Sequence, residues 1–286
     1  MVTMSEQRTS RVVVAGAYLR LPHALPVAIV LATTGALSLV VERSAAWSTH
    51  AAILLAMLGA QVVIGIVNEL VDVDLDRAAR PDKPLVSGLA SRQGAFALLV
   101  GAAAVMLAAG AALGIPALLV CLLGCALGVA YSLWLKRTLL AFLPYVLAIP
   151  MLPIWVALAH DELDAGWLLL FPIGAFALTG VQVAQSLPDI DSDRVAGIRS
   201  LTTVLGERRA IAVCWCLLLT SAAIGAVSNS DEPVVWTAAV CVGLGVALNA
   251  WGYRTWPRQA VRQAFPTAAI SVAILGIAWV YAFGTK

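Results

Sequence analysis

Eight stretches of this chain contain no Asp, Glu, Lys or Arg: residues 21–41, 44–68, 93–135, 138–160, 165–188, 210–230, 233–253 and 263–285. The hydrocarbon core of a bilayer is about 30 Å thick and takes about 20 apolar residues as helix. All but one of the stretches have single-span length. The exception, 93–135, carries Gly114-Ile115-Pro116 at its middle. A glycine followed closely by a proline stops and turns a helix, so this stretch is read as two spans joined by a tight hairpin. The prediction is an all-α integral membrane protein with nine transmembrane helices, near 21–41, 48–71, 93–113, 116–134, 138–160, 165–188, 210–230, 233–253 and 263–285. A single membrane-embedded domain over 1–286 is expected. Composition agrees: 12% of the residues are charged and 61% hydrophobic, whereas a soluble domain carries about 25% charge. So few charges cannot cover a soluble globule of this length, and disorder requires low hydrophobicity with high net charge.

Nine spans place the termini on opposite sides, and Lys and Arg in short loops decide which side is which. With the N-terminus cytoplasmic, all of the 18 Lys and Arg fall inside except Arg43 and Lys286. The predicted location is a multi-pass cell membrane, with the N-terminus and the site on the cytoplasmic side and the C-terminus outside. Residues 1–20 read as a short interfacial helix leading into the first span. The cysteines Cys121, Cys125, Cys214, Cys216 and Cys241 all fall in predicted spans without a metal-type spacing, and read as buried small apolar residues. His23, His50 and His160 lie near span ends and are read as forming no cluster, which argues against haem or zinc. Trp47, Trp134, Trp167, Trp236, Trp251 and Trp256, also near span ends, read as an interfacial belt.

The acids on the inner side concentrate in two places, Asn68-Glu69-Leu70-Val71-Asp72-Val73-Asp74-Leu75-Asp76 and Gln185-Ser186-Leu187-Pro188-Asp189-Ile190-Asp191-Ser192-Asp193. Each ends an apolar span and is followed by an arginine, Arg77 or Arg194. Aligned on Asp72 and Asp189, the segments DVDLDRAAR and DIDSDRVAG repeat one pattern. Residues at i, i+4 and i+8 of a helix share a face. Asn68, Asp72 and Asp76 would therefore line one stripe, and Gln185, Asp189 and Asp193 another if Pro188 permits helix there, while Asp74 and Asp191 point elsewhere. Carboxylates near a membrane core must be paired or ligating. Hard oxygen donors completed by water and phosphate oxygens are what Mg²⁺ takes. The two stripes are read as holding Mg²⁺ on a phosphorylated substrate; a solvated acidic loop or a stripe bridged to nearby arginines is the competing reading. Cations surround the clusters. Lys83 lies in Arg80-Pro81-Asp82-Lys83-Pro84, stiffened by two prolines; Lys136 follows Tyr131-Ser132; Arg199 follows the second cluster. Such a rim suits a diphosphate.

In combination, Asn68-x3-Asp72-x3-Asp76, the Arg80–Pro84 loop, Tyr131-Ser132 with Lys136, and Asp189-x3-Asp193 resemble the UbiA superfamily of intramembrane prenyltransferases, over nearly the whole chain. The resemblance implies a bundle of nine helices around a central cavity. It implies that Asn68, Asp72, Asp76, Asp189 and Asp193 bind Mg²⁺ and the diphosphate of an isoprenyl donor, with Asp72, Asp76, Asp189 and Asp193 catalytic. Tyr131 and Ser132 match the pair beside the reacting allylic carbon. Lys83, Lys136, Arg199, Arg77 and Arg194 are the candidates for diphosphate contacts. The sequence departs from the pattern at Glu69, where many members carry Asp, and at Gln185, where some carry Asn.

The implied activity is Mg²⁺-dependent transfer of an isoprenyl group from an allylic diphosphate to a small aromatic acceptor through an allylic cation. The expected partners are donor, acceptor and lipid bilayer, with no nucleic acid and no obligate protein partner. A membrane terpene cyclase of the same superfamily is the alternative. A transporter would have its motifs near the bilayer midplane, and a CDP-alcohol transferase would show a DGxxAR opening; neither is present in the sequence.

Overall fold

The computed structural model describes residues 13–195 and 200–284, and these are helical with no strand among them. Residues 13–20 form a short helix ahead of the first long one. The long helices are α1 (Ala24–Val41), α2 (Trp47–Ala79), α3 (Arg92–Ala112), α4 (Ile115–Leu133), α5 (Leu143–Ala159) and α6 (Leu170–Ser186), then α9 (Glu207–Ser228), α10 (Pro233–Thr255) and α11 (Pro257–Gly284). Between α6 and α9 lie two short helices, α7 (Ile190–Val195) and α8 (Leu201–Leu205).

Among the described residues, 8 helices are long and apolar enough to cross a membrane. The segment predicted as a fifth span, 138–160, is helical only from Leu143 to Ala159, which is 17 residues with Pro150 and Pro153 inside. At 1.5 Å per residue that is about 25 Å, at the short limit for a span. The hairpin at 114 is as expected: α3 ends at Ala112, α4 begins at Ile115, and Gly114 sits at φ 95°, a conformation open to glycine.

The chain divides into two compact units, Met1–Leu133 with Trp155–Asp161, and Trp134–Ile154 with Glu162–Lys286. The first is organised around α2, against which α1, α3 and α4 pack. Helices in lipid gain little from hiding apolar surface and rely on close van der Waals fit, which small residues permit. At Gly59 a Cβ would lie 2.6 Å from the Ala102 carbonyl oxygen, so only glycine admits α3 there. Of the small residues that crowd α3, Ala102 and Gly110 are buried, whereas Gly101 meets nothing within 4 Å.

At one end of this unit the structure corrects a reading made above. His50 and His160 do come together: Ser38 Oγ lies 2.7 Å from His50 Nδ1 and 2.9 Å from His160 Nε2, with ring centroids 5.2 Å apart. Sequence spacing gives no sign of this, because the three residues belong to α1, α2 and the turn after α5. Trp167 is likewise not a belt residue, being 4% exposed, whereas Trp47, Trp134, Trp236, Trp251 and Trp256 are outward-facing. Cys121, Cys125 and Cys214 are buried as expected; Cys216 and Cys241 are exposed.

In the second unit α6, α9, α10 and α11 pack together around Val183, Leu187, Ile190, Ile211, Leu218 and Val242. Leu187 and Ile190 matter for the site, because they bracket Asp189.

Candidate active site

The first acidic cluster rides on an unbroken helix. The span-length part of α2 ends at Asp74 and the helix continues to Ala79. The helical period therefore keeps Asn68, Asp72 and Asp76 on one face, as predicted. Asn68 and Asp72 are half-buried, Asp76 is buried and Asp74 is exposed. Glu69 shares the face, three residues before Asp72 and seven before Asp76, and is 3% exposed.

Lys83 answers these charges. Its Nζ donates to Glu69 Oε1 at 2.7 Å and to Asp76 Oδ2 at 2.7 Å. The loop holds it by its own backbone: the Arg80 N–H donates to the Asp76 carbonyl at 2.7 Å, and the N–H groups of Val86 and Ser87 donate to the Lys83 carbonyl at 3.0 and 2.9 Å. Pro81 and Pro84 remove further freedom. Burial works against the ammonium, but the hydrogen bonds from it to Asp76 and Glu69 outweigh burial and hold Lys83 above the ordinary amine range. An ammonium has three N–H donors; two are taken by carboxylates, which leaves one for a ligand. The sequence reading assigned Lys83 to phosphate alone and overlooked its carboxylate partners. It also overlooked His23, whose Nε2 lies 3.2 Å from Glu69 Oε1.

Arg77 does not join this face. It pairs with exposed Asp74 at 3.5 Å. The second cluster repeats that detail, with Arg194 3.8 Å from Asp191. The rest of the second cluster differs in backbone. Proline lacks an N–H and clashes with the preceding turn, and α6 ends at Ser186, before Pro188. A 3₁₀ turn, Leu187–Asp189, leads into α7. Gln185, Asp189 and Asp193 therefore do not form one continuous α-helical stripe. Buried Leu187 and Ile190 anchor the turn, leaving Gln185 and Asp189 exposed and Asp193 half-buried. A pocket of about 360 Å³, open mouth included, lies in the same unit, lined among others by Thr138, Phe142, Thr179, Gln182, Ser186 and Thr202.

Tyr131 and Lys136 are half-buried. Ser132 is 1% exposed and its hydroxyl donates to the Gly128 carbonyl at 3.2 Å. Arg199 lies outside the described residues.

The donor set in the first unit fits a hard divalent ion. Asn68, Asp72 and Asp76 each offer oxygen as the metal-binding atom. Among the described residues no three His, Cys, Asp or Glu converge as an all-protein metal cage. Mg²⁺ is commonly held by one or two carboxylates with waters and substrate phosphates rather than by such a cage.

Residues 28–274 match the profile described as the UbiA prenyltransferase family. Homogentisate phytyltransferase 1 of Arabidopsis thaliana, a chloroplast protein, is 26% identical over 207 residues, covering 67% of this chain and 52% of its own. The chain thus spans about half the length of that relative. Among solved structures, a digeranylgeranylglyceryl phosphate synthase superimposes with a TM-score of 0.81 at 13% identity, covering 96% of this chain and 99% of the other. A UbiA homologue from Archaeoglobus fulgidus bound to GPP and Mg²⁺ gives 0.66 at 18% identity, covering 92% and 99%.

Proposed function

The chain belongs to the UbiA prenyltransferase family, and from that premise we propose that it is a Mg²⁺-dependent enzyme moving an isoprenyl group from an allylic diphosphate to a small aromatic acceptor within the membrane. The observation that carries this reading is the Lys83 ammonium held between Glu69 and Asp76, beside the Asn68–Asp72–Asp76 face. It is a cation whose position is fixed before any ligand arrives, with one donor to spare. The Archaeoglobus homologue's bound GPP and Mg²⁺ support the same donor chemistry. The Arabidopsis relative's name, with homogentisate in it, supports an aromatic acceptor.

Asn68, Asp72 and Asp76 are assigned to hold Mg²⁺, which when bound would neutralise charge on the departing diphosphate. Asp189 and Asp193 are assigned the same role on their own turn. Lys83 is assigned to the diphosphate through its third N–H; within the second unit, Lys136 and Arg199 are assigned to diphosphate in turn. Positive charge fixed in advance is worth most where charge develops, because no reorganisation is needed at the moment of reaction. As the donor C–O bond breaks, both electrons leave with the diphosphate and an allylic cation remains. Tyr131 is assigned to face that cation with its ring. Ser132, whose hydroxyl is committed to its own helix, shapes the wall beside it. Apolar helices keep water from the cation until the acceptor attacks. The Lys and Arg distribution supports a cytoplasmic N-terminus and site.

Asp72→Asn and Asp189→Asn test the assignment. Each is expected to lower turnover by on the order of 10²–10³-fold, the cost of losing one preorganised electrostatic group, with the thermal midpoint retained. Full turnover by either variant in membranes would remove that residue from the mechanism.

A further inference from the structure

Prenylation of a phenol releases a proton as well as diphosphate, and the residues assigned above leave that proton without a destination. Carboxylates on a metal and a lysine bound to carboxylates are poor acceptors for it. His23 is placed differently. Its Nε2 lies 3.2 Å from Glu69 Oε1, the same oxygen that receives the Lys83 ammonium. A carboxylate oxygen repels a ring-nitrogen lone pair, so this approach favours the neutral tautomer with its hydrogen on Nε2 and the lone pair on Nδ1. No hydrogen bond to Nδ1 is made among the described residues, and the side chain is 39% exposed, so a ligand can reach the ring. A buried carboxylate that fixes the tautomer and orientation of a histidine, whose other nitrogen then takes a proton, is a general-base arrangement.

The chain fixes this geometry from both sides. Gly65 has no side chain, and a Cβ there would lie 2.7 Å from the Pro22 Cα. This lets the backbone just before His23 lie directly on α2. One turn further along α2 is Glu69. Leu21, fully buried with Ile66, Ala90 and Ala95, pins the other flank. Glu69, which faces the imidazole, is joined through Lys83 to Asp76; Arg20 pairs with Asp82 at the surface.

We propose that His23 is a catalytic residue, the general base that takes the acceptor's phenolic proton on Nδ1. The proposal rests on the function assigned above. As the acceptor attacks the allylic carbon, its hydroxyl proton passes to Nδ1. Bonding through oxygen ends there, and the proton leaves to solvent. Bonding through a conjugated ring carbon gives a dienone, which loses its ring proton while the oxygen takes the proton back from His23. Either way the products are prenylated acceptor, diphosphate and one proton.

The test uses the purified full chain in liposomes with Mg²⁺, a labelled allylic diphosphate and a panel of phenolic acceptors. His23→Ala is expected to lower kcat/KM for the acceptor by on the order of 10²-fold and to leave the KM of the donor within about threefold. His23→Gln keeps a donor to Glu69 without the Nδ1 lone pair. It is expected to keep the wild-type thermal midpoint and share the catalytic loss, which separates the base from a merely structural histidine. Wild-type rates in His23→Ala, or restored turnover in His23→Gln, would overturn the role of His23 while the transferase reading stands. Failure of the wild type to prenylate any phenol would overturn both.

Discussion

Lys83 is the residue on which the account of the first unit turns. Glu69 is 3% exposed, and Lys83 reaches it and Asp76 at 2.7 Å each. Removing one partner from a buried ion pair costs about 3–5 kcal/mol, because the remaining charges are left unpaired. Lys83→Met should therefore lower the thermal midpoint of the purified protein. It should also raise the KM of the diphosphate donor more than that of the acceptor. An equal shift in both constants would take Lys83 off the diphosphate. The pH dependence has a definite sign. The hydrogen bonds raise the Lys83 pKa, so its stabilisation is complete below the ordinary lysine value of about 10.4 and is lost as pH climbs past the raised one. The midpoint difference between wild type and Lys83→Met should then hold from neutral pH to about pH 9 and shrink only in stronger alkali. Much of this was within reach of the sequence. The four-residue spacing of Asn68, Asp72 and Asp76 is a helical signature, and the paired prolines around Lys83 announce a constrained loop. The partnership of Lys83 with Glu69 was not legible, because it is set by how a loop folds back and no periodicity encodes it. His50 and His160, which meet through Ser38, were missed for the same reason.

At the scale of elements, α2 shows what periodicity can and cannot deliver. The apolar stretch foretold its span, and the cluster at its end foretold a polar extension, which the helix supplies by running on to Ala79. The repeated cluster in the second unit looked equivalent in sequence and is not equivalent in backbone. Pro188 forces a 3₁₀ turn, while the Asp–Arg pair at the i, i+3 spacing recurs. Packing around α2 rests on Gly59, where a Cβ would lie 2.8 Å from Met106 N as well as against Ala102. Gly59→Val must push α3 away. Overpacking of this kind costs about 1–3 kcal/mol, measurable as a lowered midpoint in detergent. A variant as stable as wild type would show that the helices approach less closely than described. Gly101→Val, on a face that meets nothing within 4 Å, should be neutral by the same measurement.

For the whole molecule, low charge content first signals a membrane and then marks the site. Eight apolar helices among the described residues, with the family match, make this a multi-pass membrane protein. Eight of the 16 acidic residues lie in or beside the clusters at the ends of α2 and α6. The remaining expected crossing falls on α5, which keeps only 17 helical residues around two internal prolines. The central claim is transfer to an acceptor at a Mg²⁺-dependent site. It is tested most directly by incubating membranes holding the full chain with labelled allylic diphosphates of graded length, with and without phenolic acceptors, and identifying the products. The account predicts a prenylated acceptor and equimolar diphosphate, formed only when acceptor is present and abolished when Mg²⁺ is chelated. Diphosphate released with a hydrocarbon or terpene alcohol at the same rate without acceptor would contradict it and point to a cyclase.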